Sequence, residues 1–229
     1  MLSMTGINGT IFKDCVSSIN WGAHLCSIYR DKKEQMAVAV PYMATGLQNN
    51  QRCIYITDKP GREDICGALG KIGIDIEGCI GKRQLIVLGP EEFYLKDGFF
   101  SPVAVLDLIL NAHYEALRDG YSGLRGSGNF NWIEHGHSIS NRLIDYEREL
   151  NFLFWHNRLI ALCQYNETIV PENILLDVIY THPKVVIYGK LYENPFYVSP
   201  DLFNKQADKG QPQENYYRLR DNLINQARN

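Results

Sequence analysis

Short apolar runs alternate with longer amphipathic stretches along most of the chain. The apolar runs are strand-sized, and turn signals such as Asp58-Lys59-Pro60-Gly61 and Gly89-Pro90 bound them. In the stretches between them, apolar side chains recur at helical spacing. The pattern predicts strands over residues 24–29, 52–57, 85–88, 123–128, 159–165 and 185–188, and helices over 33–47, 63–72, 102–118, 138–152 and 171–180.

This alternation defines the fold class. Nearly continuous apolar strands separated by helices are typical of a parallel sheet that is buried on both faces. We therefore predict an α/β fold with three α/β/α layers and a mostly parallel sheet over residues 21–198. Residues 1–20 form an N-terminal extension, and residues 199–229 form a polar tail. The tail ends in a short amphipathic pattern, which is typical either of a frayed helix or of a linker helix that leads to an output domain.

Composition and charge exclude several classes of protein. The chain has 229 residues, with 23 Lys+Arg and 26 Asp+Glu, so its formal net charge is −3. It has no overall basic field, and we expect no direct nucleic-acid binding. No apolar run approaches the roughly 20 residues of a membrane-spanning helix, and the N-terminus lacks a secretory pattern. The six cysteines show no CxxC spacing. We therefore expect a cytoplasmic protein with free thiols.

The first predicted strand carries two side chains that bind metals well. His24 and Cys26 are two residues apart, so the imidazole and the thiol point to the same face. A metal site needs further ligands, which the sequence offers at His135, His137, Cys163 and His182. The alternative is a buried histidine and a packed cysteine with no ligand, and the pattern leaves both interpretations open.

The turn after this strand differs from a phosphate-binding loop. Tyr29-Arg30-Asp31 leads into the first helix without a glycine, whereas a P-loop needs glycines so that backbone N–H groups can approach the phosphate. Arg30 could still meet an anion. Asp31 is equally suited to cap the helix N-terminus.

Candidate ligand-binding residues also follow the later strands. Gly128 ends a glycine-rich strand that precedes Trp132, and Cys163-Gln164-Tyr165 closes the most apolar strand. Open α/β sheets bind ligands at the carboxyl ends of their strands, so we expect Cys26, Gly128 and Gln164 to converge there. No catalytic triad, GxSxG, HExxH or acidic metal motif is present in the sequence, which favours a binding domain over an enzyme.

Several of these residues belong to an ordered series of motifs. The series begins with the run from His24 to Asp31 and ends with Thr181-His182-Pro183. In between it includes Val40-Pro41-Tyr42, Arg52 to Ile56, Tyr94 to Phe100, Gly120 to Arg125, Gly128-Asn129, Trp132, Tyr146-Glu147 and Ala161 to Tyr165. Taken together, the motifs resemble the MEDS domain, the methanogen/methylotroph DcmR-type sensory domain.

The resemblance implies a RecA/KaiC-like core with a degenerate P-loop. It also implies a sensor of simple hydrocarbon derivatives or other one-carbon compounds, coupled to an output module such as a histidine kinase or a DNA-binding regulator. The candidate ligand-binding residues are His24, Cys26, Tyr29, Arg30, Asp31, Asp58, Arg125, Gly128, Asn129, Trp132, Cys163, Gln164, Tyr165 and His182.

Three hypotheses follow from these residues. The first is a small-molecule sensor, the second a nucleotide-binding RecA-like ATPase domain, and the third a metal or haem sensor that uses His24 and Cys26. The sequence assigns no cofactor and leaves a metal, a nucleotide and the absence of any cofactor open. It also leaves open whether the chain forms a homodimer.

Overall fold

A computed structural model describes residues 9–132, 140–200 and 216–226. The strands are β1 (Thr10–Ile11), β2 (His24–Tyr29), β3 (Arg52–Ile56), β4 (Leu85–Leu88), β5 (Leu124–Asn129), β6 (Leu159–Asn166), β7 (Lys184–Ile187) and β8 (Lys190–Glu193). The helices are α1 (Phe12–Cys15), α2 (Lys32–Gln48), α3 (Lys59–Lys71), α4 (Ile76–Gly81), α5 (Pro90–Phe93), α6 (Pro102–Arg118), α7 (Ser140–Trp155), α8 (Glu172–Thr181) and α9 (Tyr216–Gln226).

The strands form one eight-stranded sheet in the order β1-β8-β7-β2-β6-β5-β3-β4. Six strands, from β7 to β4 in this order, are parallel, and β8 and β1 add two antiparallel strands at one edge. The predicted three-layer, mostly parallel fold is therefore confirmed. The first of the parallel strands along the chain, β2, lies between β6 and β7, so late segments of the chain pack directly against an early one.

Two apolar clusters cover the two faces of the sheet because successive strand residues point to opposite sides. Helices α1, α2 and α3 cover one face, and they pack against strand residues such as Leu25 and Leu162. Helices α6, α7, α8 and α9 cover the other face, and they pack against Cys26, Cys163 and Tyr165. The reactive side chains Cys26, Cys163 and Tyr165 therefore lie on the α7 face of the sheet, and the residues that alternate with them lie on the α2 face.

The predicted strands and long helices are all present, and α2 continues through Pro41 to Gln48. The pattern did not predict the short elements β1, α1, α4, α5 and β8. Phe12 and Val16 are buried, and β1 pairs with β8. The described part of the N-terminal extension therefore belongs to the sheet and its core. All six cysteines are free thiols, as expected.

The tail contains α9, which packs onto the domain. Its residues Tyr216, Leu219 and Leu223 are buried in the same core as α8. The Tyr216 hydroxyl donates a hydrogen bond to Glu167 Oε2 at 2.7 Å, and Arg220 Nη1 lies 3.4 Å from the same oxygen. The helix is therefore docked on the domain and not frayed from it.

Asp177 on α8 leads to a prediction about how the stability of the fold depends on pH. Burial raises the pKa of this half-buried carboxyl to about 6. The folded state then binds its proton more tightly than the unfolded chain does, so this residue lowers stability as the pH rises from about 4 to about 6. We expect Asp177→Asn to raise the free energy of unfolding by about 1 kcal/mol at pH 7, after allowance for partial exposure. Denaturant titrations at several pH values measure this gain, and a gain that did not shrink toward pH 4 would contradict it.

Candidate functional site

Four buried side chains with metal-ligating atoms meet on the α7 face of the sheet. They are His24 at the start of β2, Glu147 on α7, Cys163 in the middle of β6, and His182 between α8 and β7. Their ligating atoms all lie within 4.8 Å of one another. We call this group the buried cluster, and it joins β2 to α7, β6 and the segment before β7, which come more than 100 residues later in the chain.

The carboxylate of Glu147 is at the centre of the buried cluster. Its Oε2 atom lies 3.1 Å from His24 Nε2, 3.3 Å from His182 Nε2 and 3.6 Å from Cys163 Sγ. The thiol in turn lies 3.4 Å from His24 Nε2. The other carboxylate oxygen, Oε1, accepts a hydrogen bond from the Tyr165 hydroxyl. Each side chain of the buried cluster therefore faces one common point.

Further hydrogen bonds fix the two imidazole rings. Asn151 donates from Nδ2 to the backbone carbonyls of Glu147 and Thr181, at 3.0 Å each, so its Oδ1 faces His24 Nδ1 at 3.2 Å. His182 Nδ1 donates to the carbonyl of Val178 at 2.8 Å. Because each ring donates its Nδ1 proton outward, the Nε2 atoms of both rings face the centre.

Burial and mutual proximity change the acid–base properties of the buried cluster. Burial alone would raise the pKa of Glu147, but His182 and His24 outweigh it and hold that pKa well below its ordinary value. Burial, together with the neighbouring His182, lowers the pKa of His24. Burial and the Glu147 carboxylate raise the pKa of the Cys163 thiol and of the Tyr165 hydroxyl far above their ordinary values.

A small cavity adjoins the buried cluster and shares Cys163 with it. Its volume is about 40 Å³, and apolar side chains form most of its wall. Phe154 lines the cavity and also packs edge-on against the His24 ring, with ring centroids 5.3 Å apart. Gly126 forms part of the floor, where an added Cβ atom would meet no atom within 4 Å. The cavity is therefore an apolar space beside a polar group of side chains.

The expected convergence of strand residues is partly correct. Cys26 and Gly128 lie in register on either side of Cys163, and Gly128 lines the cavity. Cys26 is buried beside the cluster but is not one of its four members. Gln164 was expected to join them and does not, because alternation along the strand turns it to the other face. There it donates to Ser127 Oγ at 2.6 Å.

Other predicted residues line a surface cleft at the carboxyl edge of the sheet. Asp58, Asn129 and Trp132 contribute to this cleft, which has a volume of about 720 Å³. Asp58 caps α3 by accepting from the Gly61 N–H at 2.8 Å, and Asn129 donates to Thr57 Oγ1 at 2.9 Å. The polar groups of Asp58 and Asn129 are therefore already engaged in local structure.

The remaining predicted residues have structural partners. Asp31 caps α2 by accepting from the Glu34 N–H at 2.9 Å, and Arg30 pairs with the carboxylate of Glu34. The carboxylate of Asp31 thus occupies the helix N-terminus, where a P-loop would hold phosphate. The others lie away from the buried cluster: Tyr29 donates to Asn131 Oδ1 at 3.2 Å, and Arg125 Nε donates to Gln51 Oε1 at 2.6 Å on the opposite face.

Sequence reasoning found three members of the buried cluster and missed the fourth. Glu147 occurs in the motif series but was not proposed as a ligand. It falls on the apolar stripe that Leu143, Leu150 and Phe154 form at helical spacing on α7. A carboxylate inside such a stripe is a signal for a buried functional group. Of the other proposed ligands, Cys26 is not a member of the cluster, and His135 and His137 lie outside the described residues.

Comparison with known protein families identifies the family of this chain. The model of the methanogen/methylotroph, DcmR sensory domain (MEDS) matches residues 23–183, which is more than half of the chain. The chain belongs to the MEDS family. The matched region contains every member of the buried cluster and all the residues that line the cavity. No curated protein matches the sequence significantly.

Solved structures show the wider fold relationship of this MEDS domain. The flagellar accessory protein FlaH from Methanocaldococcus jannaschii aligns with a TM-score of 0.51 at 11% identity, over 74% of this chain and 72% of that chain. The KaiC-like protein PH0186 from Pyrococcus horikoshii OT3 aligns with a TM-score of 0.51 at 11% identity, over 82% and 80%. The RecA/KaiC-like fold is thereby confirmed. Among the helices that the structure describes, none has the length and apolar character needed to cross a membrane.

Proposed function

We propose that this MEDS domain is a sensor that binds a small, weakly polar organic molecule in the cavity beside Cys163. The observation that carries the proposal is the contact between an apolar cavity and the buried cluster through one shared side chain. Ligand sites combine apolar walls with a few polar groups that orient the ligand. Here the walls supply affinity, and Cys163 supplies the polar contact.

The size of the cavity limits the ligand. A single water needs about 10–15 Å³ of such volume, so about 40 Å³ holds a molecule of about three non-hydrogen atoms. This supports a simple hydrocarbon derivative over a nucleotide. The best small ligands gain about 1.5 kcal/mol per non-hydrogen atom, which gives a Kd no tighter than about 0.5 mM.

The proposed signal path follows the helices on this face of the sheet. Tyr146, Leu150 and Phe154 of α7 line the cavity, and Glu147 of the same helix belongs to the buried cluster. The cluster reaches the end of α8 through His182, and α9 packs against α8. We propose that a ligand shifts α7 against α8, and that α9 passes the shift to an output module such as a histidine kinase or DNA-binding regulator.

The test is a binding experiment with a variant that fills the cavity. Ligand-observed NMR would measure the binding of dichloromethane, dimethyl sulfide and ethanol to the wild type, with benzene as a probe that exceeds the cavity. Gly126→Val adds about three carbons into the open space at Gly126, which is the amount that the cavity holds. We expect millimolar binding of at least one small probe to the wild type, and loss of that binding in the variant.

The matched control is Gly67→Val, at an exposed glycine of α3 whose substitution also meets no atom within 4 Å. It should leave the affinity unchanged. If no small probe bound the wild type, or if Gly126→Val bound as tightly as the wild type, the proposed site would be wrong.

A further inference from the structure

We propose that His24, Glu147, Cys163 and His182 together bind one zinc-type divalent metal ion with tetrahedral coordination. This site adjoins the cavity and shares Cys163 with it, but the proposal does not depend on the sensory function. The ligand set differs from the sequence hypothesis, which paired His24 with Cys26. The structure instead supplies Cys163 from the neighbouring strand and the carboxylate of Glu147 from α7.

The spacing of the ligand atoms matches a tetrahedral site. A metal bonded at about 2.0–2.3 Å to four ligands holds neighbouring ligand atoms about 3.3–3.7 Å apart. Glu147 Oε2 lies 3.1 Å from His24 Nε2 and 3.3 Å from His182 Nε2. Cys163 Sγ lies 3.4 Å from His24 Nε2 and 3.6 Å from Glu147 Oε2. All four atoms are buried and lie within 4.8 Å of one another, so a small shift of His182 closes the tetrahedron.

The hydrogen bonds around the buried cluster also point to a cation at its centre. Asn151 and the Val178 carbonyl each accept from a histidine Nδ1, which directs the lone pairs of both Nε2 atoms inward. His182 Nε2 is fully buried and has no hydrogen-bond partner, although it lies within ion-pair distance of Glu147. Two imidazole lone pairs and a carboxylate therefore face the same point, and a bound metal ion would satisfy all three.

The donor atoms select the type of metal. Calcium and magnesium prefer oxygen ligands, whereas two imidazoles, a thiolate and one carboxylate suit zinc. Because the protein supplies all four ligands, the site is of the closed, structural kind. Such an ion would tie α7 to β2, β6 and the segment before β7. Of these elements, α7 and β6 also line the cavity.

The experiment is a cobalt titration of the full chain after dialysis against a chelator. Cobalt(II) in a tetrahedral site with a thiolate gives intense visible absorption and a thiolate-to-cobalt charge-transfer band. We expect both features to saturate at one equivalent of metal, and one equivalent of zinc to displace the cobalt. Circular dichroism would verify that the metal-free protein is folded. Weak absorption that never saturates would overturn the proposal, and this test requires no variant.

Two matched substitutions identify the thiolate. Cys163→Ser should abolish the charge-transfer band. Cys26→Ser changes a buried thiol on the same face outside the ligand set, and it should keep the band. Asn151→Ala removes the partner of His24 Nδ1 and the two hydrogen bonds that Asn151 donates to backbone carbonyls, but no metal ligand, and should weaken zinc binding about 10–100-fold. The opposite result for the two cysteines would contradict the ligand assignment. Gly126→Val should retain the metal, so that failure of the cavity and failure of the metal site are distinguishable.

Discussion

Glu147→Ala is expected to destabilise the domain by about 3 kcal/mol. The carboxylate is fully buried and contacts His24, His182 and Cys163, and it accepts from the Tyr165 hydroxyl. Removing it leaves these polar groups without their common partner and opens a cavity in the core. Each of these losses costs about 1–3 kcal/mol.

Glu149→Ala is the matched control for this prediction, because it makes the same change two residues away on an exposed position of α7. It should change stability by no more than about 0.5 kcal/mol. The contribution of Glu147 should also depend on pH. The pKa of Glu147 is lowered on folding, so its stabilisation is complete above the ordinary carboxyl pKa and is lost as the pH falls toward the lowered value. Equal denaturant midpoints for Glu147→Ala and Glu149→Ala at pH 7 would contradict the prediction.

Gly128→Ala is expected to cost about 2 kcal/mol, although it adds a single methyl group. A Cβ atom at this position would overlap the Tyr94 hydroxyl and would lie 3.2 Å from Tyr94 Cζ and 3.3 Å from Ile56 Cβ. Tyr94 has little room to yield, because its ring is buried and stacks on Trp132 with centroids 5.3 Å apart.

Gly126→Ala provides the comparison on the same strand and the same face. Its new methyl group would enter the cavity and meet no atom within 4 Å. We expect unchanged stability or a gain of up to about 1 kcal/mol, since alanine also restricts the unfolded chain. Thermal or denaturant unfolding of the two variants measures the difference. If both alanines cost the same, the cavity would not be where the structure places it.

The sequence pattern was sufficient to predict the main elements because their apolar runs are long and clearly bounded. It missed β1, which has only two residues, and β8, whose run Lys190–Glu193 has only two apolar residues between two charged ones, next to the sheet edge. Short edge elements owe their structure to the neighbouring strand more than to their own pattern. The fold class therefore followed from the sequence, whereas the edge of the sheet did not.

Three of the four members of the candidate site were predictable, but their assembly was not. His24, Cys163 and His182 each stood out by residue type and position, yet His24 and Cys163 are 139 residues apart. The pairing of β2 with β6 brings them together, and a single sequence does not give strand order. Because Cys26 is close to His24 along β2, the sequence favoured it as the second ligand. Residues i and i+2 of a strand are, however, farther apart than side chains that meet across neighbouring strands, as His24 and Cys163 do.

One measurement tests most directly whether the cavity beside Cys163 is the ligand site. The protein, labelled with nitrogen-15 and carbon-13, would be titrated with dichloromethane, and chemical-shift changes would be mapped residue by residue. We predict the largest changes at Cys163, Leu150 and Phe154, which line the cavity. Largest changes at Asp58, Asn129 and Trp132 would move the site to the surface cleft and contradict the account.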